Sequence, residues 1–137
     1  MKRGRGWASV IALLPTTLCL AQVDHRVVVE VDGPGAIAYK SALGTVANIQ
    51  RAFAGQKLHI EVVCLGQGID LIFSHDNPLT NTVKRLQKGG VLFAACNNTL
   101  HGRHIGKDRI FAFVTVVDSG AAEIIRKQEQ GWSYLHR

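Results

Sequence analysis

An α/β fold, three-layered α/β/α around a parallel sheet of four to five strands, is predicted by three features of the sequence. Apolar, β-branched runs of strand length alternate with segments whose apolar residues recur at helical spacing. The strand-like runs lack the polar alternation of a half-exposed sheet, as expected where both faces are covered. Glycine or asparagine punctuates most of the junctions, and each right-handed crossover must lay its helix back on the sheet. With 137 residues, 47% of them hydrophobic and only three prolines, the chain has material for a single domain with a full core.

Residues 1–21 read separately, as a secretory signal. Lys2, Arg3 and Arg5 form a basic start, Trp7 to Leu20 an apolar stretch, and Ala21 a small residue for cleavage ahead of Gln22. The apolar stretch is 14 residues long and contains Pro15, short for a membrane span, which favours cleavage over the alternative of an uncleaved N-terminal anchor. The expected mature domain is therefore 22–137, periplasmic or secreted, without a membrane span. Losing the three basic residues halves the net charge of +6, and the remaining positive residues are scattered, so nucleic acid is not an expected partner.

Arg26 to Val31 is the first expected strand, ended by the turn residues Asp32-Gly33-Pro34-Gly35. That loop lacks the dinucleotide spacing and the phosphate-loop lysine. Tyr39, Leu43, Val46, Ile49 and Phe53 then mark one face of a helix closed by Gly55. Leu58 to Cys64 is the second strand. Ile69 to Phe73 is too brief to assign, and Asn77-Pro78 reads as N-cap and first residue of a helix with Leu79, Val83 and Leu86 inward. Gly89-Gly90 ends it, and Val91 to Ala95 is a third strand. Phe113 to Val117 is expected as the fourth. Gly120 to Gln130 is a last helix with Ile124 and Ile125 inward and Gly131 as its stop, and Trp132 to His136 forms an edge strand or packs across the end.

Cys96 carries the chemistry. It falls where the third strand ends, and Asn97 and Asn98 are favourable N-cap residues for a helix running through Leu100 and Arg103. Free N–H groups and a helix dipole at that place favour the thiolate. The plain alternative is a small buried residue, since free cysteines are among the most buried side chains. Cys96, His101 and His104 have a Cys-x4-His-x2-His spacing, but three ligands within so short a helix rarely reach one centre, and no metal or other cofactor is expected. His101 and Arg103 instead supply positive charge near the thiol. Asp70, Asp76, Asp108 and Asp118 have no spacing that argues for a paired acid and base.

Three stretches carry a resemblance: Ile60-Glu61-Val62-Val63 with Gly66-Gln67-Gly68, Ala95-Cys96-Asn97-Asn98-Thr99-Leu100, and Gln128-Glu129-Gln130-Gly131-Trp132-Ser133-Tyr134. Together they resemble the DsrE/DsrF-like family of sulfur-relay proteins, in its exported branch. The resemblance implies a five-stranded parallel sheet and homo-oligomers, trimers or hexamers. It also implies that Cys96 accepts sulfane sulfur as a persulfide and passes it on, as a carrier or sulfurtransferase. The partners would be a sulfur donor or acceptor protein or a small sulfane-sulfur species, held by Asn97, Asn98, Thr99, His101 and Arg103. Leu65-Gly66 stands where relatives often have His-Gly. The alternative is a non-catalytic binding or assembly module of the same fold with an inert Cys96, and a largely inaccessible thiol would favour it. Neighbouring second and third strands would also bring Cys64 and Cys96 to one end of the sheet, where either a disulfide or a core-facing Cys64 is open.

Overall fold

The computed structural model describes residues 23–137, so the expected signal lies outside the described residues. Five strands form one parallel sheet in the order β4-β3-β2-β1-β5. They are β1 (Asp24–Val31), β2 (Lys57–Cys64), β3 (Leu92–Cys96), β4 (Thr115–Val117) and β5 (Ser133–His136). The helices are α1 (Ala36–Ala52), α2 (Thr80–Lys88), α3 (Asn97–Gly102) and α4 (Gly120–Glu129), with 3-10 turns at Gly66–Ile72 and Lys107–Arg109. From β1 to β4 the chain advances across the sheet in one direction, and from β4 it returns to place β5 beside β1. With crossovers of one hand, that reversal puts α4 on the face opposite α1 and α2.

Alternation along the strands sorts the core by face. Val27, Val29 and Val31, with Ile60, Val62 and Cys64 and with Phe93 and Ala95, pack against Tyr39, Leu43 and Val46 of α1 and Val83 and Leu86 of α2. Val28, Val63 and Ala94 point the other way, to Ile124 of α4. The stretch left unassigned, Ile69 to Phe73, completes the 3-10 turn, with Ile69, Leu71 and Ile72 fully buried. A Cβ on Gly68 would lie 2.0 Å from the Val31 carbonyl oxygen, so this turn crosses the end of β1 at a distance that admits only glycine.

Several sequence expectations are corrected. Asn77 does not start α2: its side chain accepts from the Leu79 N–H at 2.9 Å, closing a turn, and the helix begins at Thr80. The fourth strand is only Thr115–Val117. Phe113 belongs instead to an aromatic cluster, stacked on Phe111 at 5.1 Å and edge-on to Phe93 at 6.2 Å. Ile125 is 55% exposed while Ile124 is buried, because successive helical residues point about 100° apart and cannot share an inward face.

Candidate functional site

β3 runs into α3 without a linker. Cys96 keeps extended dihedrals (φ −70°, ψ 114°) and is itself the N-cap, so Asn97 is the first helical residue and neither asparagine caps the helix. Cys96 follows Ala94 in the two-residue alternation, so its side chain faces α4. A Cβ on Gly120, the first residue of α4, would meet the Cys96 Cβ at 3.1 Å. The thiol therefore sits between the first turns of α3 and α4. Burial pushes its pKa up, but the donor groups around it, first the Gly120 N–H and then the Thr99 hydroxyl and N–H and the Asn98 N–H, outweigh burial and hold it below the usual thiol value. The Cys96 side chain makes no cap hydrogen bond to the helix it precedes. Cys96 is only 5% exposed.

Cys64 has the opposite chemistry. It pairs in register with Ala95, one residue short of Cys96, so the two sulfurs project from opposite faces of the sheet. Both cysteines are free thiols, and burial pushes Cys64 up to about 12. A bridge between them would have to pass through the sheet.

The other expected site residues divide. Asn98 and Thr99 border the thiol through their N–H groups. Asn97 is not among the groups that most lower the thiol pKa, and neither are His101 and Arg103. Arg103 turns instead towards the end of β2, donating to the Gly66 carbonyl at 3.1 Å and pairing with Asp70 at 2.8 Å. His101 is exposed on the last turn of α3. His104 terminates the helix: its φ is +53°, its N–H donates to the His101 carbonyl at 3.1 Å, and the Ile105 N–H reaches the Leu100 carbonyl at 2.8 Å. That is the pair of bonds that closes a Schellman end. Cys96 and His104 thus stand at opposite ends of α3, roughly 12 Å apart at about 1.5 Å of rise per residue, too far to share a metal ion. Among the described residues no three His, Cys, Asp or Glu side chains cluster as metal ligands.

Two contributors were not legible in the sequence. Gly120 looked like the start of a helix, and nothing local signals that α4 would be laid against β3. Gly66 lies 30 residues before Cys96, yet its N–H donates to the Thr99 Oγ1 at 3.0 Å.

The DsrE/DsrF-like family matches residues 27–136, spanning all five strands but the first residues of β1. The chain belongs to the DsrE/DsrF-like family. This membership points to a role related to sulfur relay. MTH1491 from Methanobacterium thermoautotrophicum, a protein of unknown function, is similar at 31% identity and a TM-score of 0.72, over 83% of this chain and all of that one. YchN from E. coli has a TM-score of 0.67 over 82% of this chain and 99% of its own, and at 12% identity that likeness concerns the fold alone. No curated protein matches the chain.

Proposed function

We propose that Cys96 of this DsrE/DsrF-like protein carries sulfane sulfur as a persulfide. The observation that supports this most is the contrast in placement between Cys96 and Cys64: Cys96 lies between the first turns of α3 and α4, whose donor groups bring its pKa down, whereas Cys64 faces the core under α1 and α2 and is pushed up to about 12. In the loading step the Cys96 thiolate attacks a sulfane sulfur of a polysulfide or of a donor protein's persulfide. The Cys96 Sγ–S bond forms as the donor's S–S bond breaks, and the electron pair leaves with the remainder of the donor. Delivery to an acceptor thiolate is the same exchange in reverse, so no external oxidant or reductant is consumed. The N–H groups at the starts of α3 and α4 stabilise the anionic sulfur throughout. On this reading the protein acts as a homo-oligomer, and the tripartite start of the sequence supports a place in the periplasm or outside the cell.

A second reading, a binding or assembly module with an inert thiol, is favoured by the 5% exposure of Cys96. Intact-mass measurement after incubation with polysulfide separates the two. The carrier gains one sulfur atom, Cys64→Ser gains it as well, and Cys96→Ser does not. Equal gain by Cys96→Ser, or no gain by the wild type from any sulfane donor, leaves the assembly module as the function.

A further inference from the structure

We propose that Thr99 and Arg103 are positioning residues, which act on the Cys96 thiol through Gly66 rather than on the incoming sulfur species. The inference deepens the carrier reading, but its test does not require sulfur transfer.

The geometry is a chain of directed groups. Arg103 Nη1 donates to the Gly66 carbonyl at 3.1 Å and pairs with Asp70 Oδ1 at 2.8 Å, so its guanidinium is held by the segment that follows β2. Gly66 lies just past the end of β2 with φ +55°, a left-handed conformation that glycine adopts without strain. That N–H donates to Thr99 Oγ1 at 3.0 Å. A hydroxyl has one proton to give, and an oxygen that already accepts from Gly66 is oriented with that proton pointing elsewhere. Thr99 is the third residue after the N-cap Cys96, the position that faces an N-cap side chain. With its acceptor side taken by Gly66 and its place at the third residue after Cys96, the Thr99 hydroxyl is free to turn its proton towards the sulfur, where a donor stabilises thiolate and not thiol.

Two features assign Arg103 to this chain and not to binding an anionic donor. Its charge is balanced by Asp70, and its side chain is anchored to a backbone carbonyl. Both members of the ion pair are more than a third exposed, so removing the pair costs little global stability. Arg103→Gln therefore stays folded while the anchor on Gly66 is lost.

The test is the pH dependence of thiolate formation, followed by far-ultraviolet thiolate absorbance, which needs no reagent to reach the sulfur. The full chain carries Cys19→Ser and Cys64→Ser, leaving Cys96 as the one thiol. Thr99→Val raises the midpoint by about one pH unit, a tenfold loss of thiolate below the midpoint, and Thr99→Ser restores it. Arg103→Gln raises it in the same direction by a smaller amount. An unchanged midpoint in Thr99→Val overturns the proposal, and so does an equal rise in Thr99→Ser, which would assign the effect to packing. An unchanged midpoint in Arg103→Gln with slower loading from anionic polysulfide returns Arg103 to the donor and overturns its positioning role. Shifted midpoints in a protein that takes up no sulfur would leave the positioning chain standing and remove the carrier reading.

Discussion

At the scale of residues, what separates Cys96 from Cys64 is the register of one position. Cys64 points into the α1 and α2 layer, where nothing offsets desolvation, and Cys96 points to the place where two helices begin. Cys96 at a strand end was legible in the sequence, because an apolar run stops there. The capping role was not, because asparagine is the commoner N-cap and only the backbone dihedrals show that the helix starts one residue earlier. His104 teaches the same lesson from the other end of α3. Read with His101, its spacing resembled a metal pair, whereas its φ of +53° makes it the residue that ends the helix. A left-handed conformation costs an L-residue about 1–2 kcal/mol, partly offset in glycine by the greater freedom of its unfolded chain. His104→Gly is thus expected to raise stability by about 0.5–1 kcal/mol, seen as a higher urea midpoint at unchanged slope. A lower midpoint would mean that the imidazole makes contacts worth more than the backbone relief.

Among the elements, those with strong periodicity were read well and those shaped by packing were not. α1 closes where Gly55 follows, and α4 ends at the predicted Gly131, whose N–H reaches the Gln128 carbonyl at 2.9 Å while Trp132 reaches Lys127 at 3.0 Å. β4 was overextended because an aromatic cluster and a strand share the same apolar composition. β2 hides a subtler feature: Glu61, a buried carboxylate in the middle of an otherwise apolar strand, pairs with Lys127 of α4 at 2.5 Å. Lys127 also approaches Glu123 at 3.5 Å and lies over the Trp132 ring at 4.4 Å. A pair this enclosed fixes where α4 docks more than it adds stability, since desolvation offsets most of the attraction. Lys127→Met strands Glu61 beside Glu123 and is expected to cost about 3 kcal/mol, whereas Glu61→Leu combined with Lys127→Met regains most of that loss. Urea denaturation of the three proteins decides the matter, and a double variant no more stable than the single one would refute this account of the pair.

For the molecule as a whole, the consequential asymmetry is between the two faces of the sheet. One face is covered by α1, α2 and the 3-10 turn, the other, among the described residues, by α4 with a small cluster of Val28, Val63, Ala94 and Ile124. Leu92 on that thinner side, the first residue of β3, is 58% exposed, and Ile125 of α4 is 55% exposed. Leu92 borders a cavity of about 230 Å³ lined also by Phe93, Ala94, Thr115 and Val117 and walled by Glu61, Glu123 and Lys127. Large aliphatic side chains open to water beside a sheet face are the composition of an interface core. A second copy of this chain is the occupant that the family resemblance favours, and a closed assembly would cover Leu92 in every subunit through one repeated contact. Sedimentation of the wild type is therefore expected to give a species larger than a monomer. Leu92→Glu, which places a charge in that contact without touching the buried core, should weaken association at least tenfold, about 1.4 kcal/mol, while leaving the far-ultraviolet circular dichroism unchanged. A wild type that sediments as a monomer at every concentration would refute self-association, and a Leu92→Glu variant that still assembles fully would place the contact on another face, such as that of Ile37, which is 88% exposed at the start of α1.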